Sequence, residues 1–356
     1  MFPAPEDLGT FTQVLDVQGC YVSPGFIDTH LHGALGYEFL EGTQEAVDAV
    51  TTHLYSTGVT GFLPNSSTLA AEDVLRGIAT LARLTRTTPG MLGIHMEGPF
   101  ISPQYKGSQR EDYIQSPQGQ FMQEVLAAGE GSIRIVTLAP EMPGALDLIQ
   151  ELTDLGIVVS AGHTGANFEQ FTQAYRRGLR HVTHMFNAMS GVHHRDLGVA
   201  GGALLYDDVY CELILDGIHV SSGAAQLLKR VKTVDRIALV TDSSRFTGLP
   251  DGEYARLDGQ KVQVKDNSVR LANGGLAGSM LNMCQALKNA TKLMDCSVQE
   301  AVHMVSLVPA KILGLENKGI IAAGMDADMT IFDTELEIKY TIINGDIVYT
   351  GEWGDI

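Results

Sequence analysis

The sequence predicts an α/β protein whose main body is a (β/α)8 TIM-type barrel, and three observations predict it. Eight short apolar or β-branched runs occur, at residues 25–32, 60–65, 91–97, 133–139, 157–163, 181–187, 210–219 and 237–242. Helix-like stretches separate most of them, for example 46–57, 70–84, 144–155, 167–177 and 222–231. Strand and helix signals in alternation mean a parallel sheet, and eight such units close it into a barrel. The runs are also nearly continuous in apolar character, as in Ile237-Ala238-Leu239-Val240, which marks strands covered on both faces.

Taken in order, the barrel occupies residues 23–318, and two segments depart from the repeat. Residues 252–271 carry turn residues and an alternation (Val262, Val264, Val269, Leu271) that predicts a hairpin inserted after the eighth strand. Residues 319–356 contain several short strand-like runs, with Asn344-Gly345 as a turn signal. This tail is expected to form a small β-module with the N-terminal residues 1–22.

Composition narrows the function classes. The 356 residues are 44% hydrophobic, enough for a large core, and carry a formal net charge of −18. A surface so acidic repels nucleic acid and anionic membranes, so neither is an expected partner. An anionic small substrate would need a local group of basic side chains. Cys20, Cys211, Cys284 and Cys296 are scattered without a CxxC pair and read as reduced thiols of a cytoplasmic protein. Residues 1–19 lack a basic run followed by an apolar stretch, and nothing downstream approaches the ~20 apolar residues of a membrane span.

The chemistry-bearing residues gather at strand ends. Glu97 stands between a strand and the backbone breaker Gly98-Pro99, which would fix its carboxylate at the strand tip. Alone it could be a loop acid or an ion-pair partner. His163 (in Gly162-His163-Thr164) and His184 (in His184-Met185-Phe186-Asn187) also end strands, and two imidazoles with one carboxylate suit zinc or another first-row divalent ion. Asp242 closes the eighth strand. It could be a helix cap, but beside a metal-bound water it can take a proton and pass it on. His30 and His32 end the first strand at i and i+2, so both rings can face the barrel mouth and form a second metal position. His219 ends the seventh strand, either as an ordinary rim histidine or as a donor to a substrate carbonyl. Arg195, after the sixth strand, is a candidate anion clamp with His193 and His194 beside it. His53, His181 and His303 read as structural.

Taken together, these segments resemble the amidohydrolase superfamily, and within it the deacetylases of phosphorylated amino sugars. The likeness runs from about residue 22 to residue 348, through PGFIDTHLHG, GVTGFLPNSST, HMEGPFISPQYKGSQ, GHTGA, THMFNAM, LDGIHV, LVTD, LAGS, SLVPAKILGL and GMDADMTIFD. It implies hydrolysis of the acetamide of N-acetylglucosamine 6-phosphate, with Glu97, His163 and His184 as metal ligands. Asp242 is implied as general acid and base, and His219 as the contact to the acetamide. Asn187, Ala188 and Arg195 match positions that hold the sugar phosphate, while Ser108, Leu276, Ala277 and Gly278 match segments that wall the sugar site. The resemblance also implies Zn2+ (or Fe2+ or another first-row ion), one or two per subunit, a homodimer, and a small β-sandwich built from both chain ends. Relative to that pattern the N-terminal part of the sandwich is shortened, which would leave the apolar face of residues 319–348 partly uncovered. Gln109 replaces a histidine of some relatives and is expected to tune sugar contacts, and Arg245 is a further candidate for the anion site. Three rival readings stand beside this one: a deacetylase of another phosphorylated amino sugar such as N-acetylgalactosamine 6-phosphate, another amidohydrolase acting on a cyclic amide or nucleobase, and a non-catalytic barrel scaffold.

Overall fold

The computed structural model describes residues 14–353. Eight parallel strands line the centre: Phe26–Leu31 (β1), Val59–Pro64 (β2), Ile94–Glu97 (β3), Ile133–Leu138 (β4), Val158–Ala161 (β5), His181–Val182 (β6), Tyr210–Ile214 (β7) and Ile237–Val240 (β8). β3 to β8 hydrogen-bond in sequence order, and β1 pairs with β2. Parallel bridges Phe62↔Met91, Asn65↔His95 and Leu31↔Ser243 join these two groups at both seams, so the sheet closes into the expected barrel. Every residue of β1, β2, β3 and β8 is buried, as the unbroken apolar runs required.

Helices follow the strands: α1 (Gln44–Ser56), α2 (Ala71–Leu84), α3 (Phe121–Gly129), α4 (Ala145–Asp154), α5 (Phe168–Arg176), α6 (Gly198–Leu205) and α7 (Ser222–Lys232). After β8 come α8 (Met283–Leu293), α9 (Val298–Val305) and α10 (Leu307–Ile312). Their starts are written locally. Thr43, Ser221 and Asn282 cap α1, α7 and α8 through their side chains, and Asn167 with Gln170 and Ser297 with Glu300 form capping boxes on α5 and α9. In α2 the buried positions Val74, Ile78, Leu81 and Ala82 recur at helical spacing and pack inward. No described helix is long and apolar enough to cross a membrane.

Residues 252–271 form three antiparallel strands, Gly252–Ala255, Lys261–Lys265 and Ser268–Leu271, one more than the hairpin expected from sequence. The last two are joined at Asp266-Asn267, both at positive φ, as a tight hairpin turn requires. The extra strand was illegible because Gly252-Glu253-Tyr254-Ala255 holds no β-branched residue. Val262, Val264 and Val269 bury one face of this sheet against Phe246 and Ala277.

Among the described residues the β-module is one antiparallel sheet of four strands, Tyr21–Pro24, Met329–Phe332, Ile338–Ile343 and Asp346–Thr350. Residues 1–13 of its expected N-terminal share lie outside the described residues. The barrel supplies the layer under it: Thr330 Oγ1 donates to Gly58 O and Thr341 Oγ1 to Tyr55 O, both at 2.6 Å, and Phe332 packs on Phe26. Gly58 makes this approach possible, with φ +88° and no room for a Cβ between Thr330 and Phe26. Val22, Ile320, Ile321 and Ile347 stay partly exposed, 38–46%.

Candidate active site

The strand ends meet at one mouth of the barrel, where a cavity of about 170 Å³ opens. Glu97 lies at its centre. Glu97 Oε1 is 3.1 Å from His163 Nε2, 3.3 Å from His184 Nε2 and 3.5 Å from His30 Nε2, and Oε2 is 3.3 Å from His32 Nε2. Asp242 Oδ1 stands 3.3 Å from His32 Nε2 and 3.6 Å from His30 Nε2. Six side chains from the ends of β1, β3 and β8 and the loops after β5 and β6 therefore converge, and they divide into two candidate ligand triads, Glu97-His163-His184 and His30-His32-Asp242.

The rings are oriented from behind. His163 Nδ1–H donates to Tyr105 O (3.0 Å) and His184 Nδ1–H to Asn187 O (3.1 Å). His30 Nδ1 is 2.8 Å from Glu212 Oε2, and His32 Nδ1 is 3.1 Å from Ser67 Oγ. Each imidazole thus spends Nδ1 on the protein and turns Nε2 to the centre, the arrangement metal-bound histidines need. His163, His184 and Asp242 have φ of +48°, +35° and +45°, a strained backbone that the surrounding bonds must sustain. Those bonds are present at Asp242, whose N–H donates to His30 O (2.8 Å) and whose carbonyl accepts from Ser279 N–H (2.9 Å).

Electrostatics ask for positive charge at this point. Burial alone would push Glu97 up, but the imidazoles around it, His30 first, hold its carboxyl well below the usual carboxylate range. Burial likewise opposes ionisation of Asp242, and His30 and His32 overcome it, bringing it to about 2. His32 responds in reverse: burial disfavours its charge, yet the bonds to Asp242 and Glu97 lift it to about 9. Protons on the rings neutralise the carboxylates where a cation would. The donor set fits a divalent cation on a further count, since His30 Nε2 is fully buried, aimed at the centre, and without a hydrogen-bond partner.

Of the other residues singled out from sequence, Ser108, Asn187, Ala188, His219, Leu276, Ala277 and Gly278 line the cavity. His219 Nδ1 is 2.6 Å from Asp216 Oδ2, which leaves Nε2 over for a ligand. Burial pushes Asp216 up, and the bond from His219 outweighs it, so its carboxyl lies below the usual range. Arg195 does not line the cavity; it is exposed, with Nη1 2.8 Å from His194 Nε2. Arg245 turns away to Gly36 O and Glu41 instead of joining an anion site. Gln109 reaches the candidate metal centre, donating to Glu97 Oε2 (3.0 Å) and accepting from Thr68 N–H (2.6 Å). His181 Nδ1 bonds to Ser160 Oγ and His303 Nε2 to Asp235 Oδ1, and neither ring lines the cavity.

Sequence reasoning passed over Glu212, Asp216, Glu38 and Arg256. Among the described residues lining the cavity Arg256 is the only lysine or arginine, and its Nη1 donates to Ser108 Oγ at 3.0 Å. It comes from the inserted sheet, so no strand-end rule pointed to it. Glu212 was legible in principle, as an isolated acid in the apolar run Tyr210–Ile214.

Known proteins resemble this chain along most of its length. The model of the amidohydrolase family matches residues 21–348. The N-acetylglucosamine-6-phosphate deacetylase of Lysinibacillus sphaericus is 38% identical over 94% of this chain and 87% of its own length. The N-acetylgalactosamine-6-phosphate deacetylase of Escherichia coli O157:H7 is 34% identical over 91% and 86%. A crystal structure of N-acetylglucosamine-6-phosphate deacetylase from Thermotoga maritima superposes with TM-score 0.87 at 36% identity, covering 93% of this chain and 89% of that one. A mutant of the Mycobacterium smegmatis enzyme in complex with N-acetyl-D-glucosamine 6-phosphate gives TM-score 0.90 at 33% identity, covering 96% and 91%. Barrel, strand-end ligands and likeness along nearly the whole length agree, and the chain belongs to the amidohydrolase family.

Proposed function

We propose that this chain hydrolyses the acetamide of N-acetylglucosamine 6-phosphate to glucosamine 6-phosphate and acetate, using a divalent metal, most simply Zn2+. The observation that carries the reading is the convergence of Glu97, His163 and His184 beside Asp242 and His219 in one cavity. Relatives that cover most of the chain and bear this activity supply the substrate class.

A cation held by Glu97, His163 and His184, with His30 and His32 as a second position, supplies Lewis acidity that activates water and polarises the acyl oxygen. The side chains do the rest. Asp242, ionised and 8% exposed, accepts the proton that the attacking water loses. His219, whose Nδ1–H donates to Asp216, faces the acyl oxygen, and in its doubly protonated form its Nε2–H steadies the negative charge that develops there. Asp242 then returns the proton to the amide nitrogen, without which the amine is a poor leaving group, and the C–N bond breaks to give acetate and amine. In this reading Asn187 and Ala188 hold the phosphate from the cavity wall, Arg256 is a cationic contact beside them, and Arg195 adds a contact from its exposed position outside the wall. Ser108 and 276–278 wall the sugar.

The E. coli relative favours one second reading, the galacto epimer as substrate, with identical chemistry. A homodimer in the cytoplasm completes the proposal, consistent with a phosphorylated substrate and four free cysteines. The test is acetate release from both epimers after chelator treatment, with and without added Zn2+. Zinc-dependent turnover of the gluco substrate is the expected result. Metal-loaded, folded protein that turns over neither epimer refutes the reading.

A further inference from the structure

Glu212 is a fully buried carboxylate in β7, inside the barrel. Ile214, two residues on and therefore on the same side of the strand, lines the cavity, so Glu212 sits one layer beneath it. Its Oε2 is shared by both ligand triads: it lies 2.8 Å from His30 Nδ1 and accepts the backbone N–H of His184 at 3.2 Å. Among the described residues its Oε1 has no hydrogen-bond partner, and His181 Nε2 stands 3.8 Å away. A buried acid in the centre of a barrel is costly unless a specific task retains it.

The geometry points to Glu212 as the positioning residue for a cation held by His30, His32 and Asp242. The inference rests on the metal-dependent reading above and deepens it. With Nδ1–H of His30 engaged by Glu212, the ring can present only Nε2, and that atom is the buried, unpartnered nitrogen 3.6 Å from Asp242 Oδ1 and 3.5 Å from Glu97 Oε1. A carboxylate behind the ring also makes the imidazole a stronger donor to a cation. Glu97 already serves the first triad, whose histidines are oriented by backbone carbonyls of Tyr105 and Asn187. Among the four candidate ligand histidines, a carboxylate stands behind the ring only at His30, since His32 Nδ1 meets Ser67 Oγ. Removing the Glu212 charge therefore falls selectively on the second cation, while the bond to His184 N–H, which an amide oxygen can still accept, keeps the first position in place.

The experiment is titration of the chelator-stripped chain with Zn2+ against a chromophoric competitor, comparing wild type with Glu212→Gln and reading the affinity of each equivalent. The wild type is expected to bind two equivalents per chain. In the variant the first affinity stays within about threefold and the second falls about 10- to 100-fold. Equal weakening of both equivalents would show a merely structural role and overturn the proposal, as would an unchanged second equivalent. A wild type that binds one equivalent only also overturns it, and leaves the metal-dependent reading standing. A wild type that binds none removes both. If Glu212→Gln fails to fold, Glu212→Asp keeps the charge but withdraws it from His30; selective loss at the second equivalent supports the assignment, and uniform loss sinks it.

Discussion

Replacing Asp242 by asparagine isolates the proton-transfer step from the architecture. The backbone at 242 is clamped by His30 O on one side and Ser279 N–H on the other, and neither bond uses the side chain. The substitution is isosteric, so the strained φ of +45° and the neighbouring ligands should persist. What disappears is a carboxylate 3.3 Å from His32 Nε2 that is ionised at every working pH. The same group is asked both to accept the proton from water and to return it to the amine. One general acid–base contribution amounts to about 10²–10⁴-fold, and with both transfers lost the upper part of that range applies, about 10³–10⁴-fold or roughly 4–5.5 kcal/mol. The assay is acetate release at saturating substrate, with metal content measured on the same samples. Turnover within tenfold of wild type at equal metal content would remove Asp242 from the mechanism.

Arg256→Ala should raise KM for the phosphorylated sugar about 10-fold or more and leave the unphosphorylated sugar nearly unaffected, because a charge-assisted contact is lost; Arg195→Ala should show the same preference for the phosphorylated substrate. Equal losses on both sugars would deny a phosphate contact. Zn2+ at a hundred times its Kd should stabilise the stripped chain by about 2.7 kcal/mol, visible as a rise in Tm, and an unmoved Tm would argue against a native-state metal site. Burial pushes the Cys211 thiol up to about 12 and Cys284 to about 11. At pH 8 their thiolate fractions are then ~10⁻⁴ and ~10⁻³, so a thiol reagent should label Cys20 first and reach Cys211 and Cys284 only on unfolding. Gly58→Ala would bring a Cβ to 2.7 Å from Thr330 Cγ2 and 2.8 Å from the Phe26 ring at a φ of +88°. A cost of at least about 2 kcal/mol in urea unfolding is expected, and a neutral result would mean the small sheet is not packed on the barrel as described.

Sequence by itself determined the barrel and singled out the candidate ligands. Strands covered on both faces must be apolar throughout, so runs such as Ile237–Val240 are conspicuous, and a polar residue closing such a run lies at the barrel mouth by construction. Glu97, His163, His184 and Asp242 were legible for that reason, and His30 and His32 by their two-residue spacing. Tertiary structure decided what local pattern cannot carry. Asp242 was read as a proton carrier, and only the fold shows that it also completes a triad with His30 and His32, more than two hundred residues away. Gln109 and Arg256 arrive on loops and an inserted sheet, whose path around the cavity depends on packing and not on strand periodicity. Arg195 shows the converse: a basic residue on the same side as the cavity in sequence order, left exposed and off the cavity wall with its Nη1 on His194 Nε2. Strand order fixes which ends share a mouth, whereas the direction of a long side chain at its rim is settled only by the neighbours that fold against it.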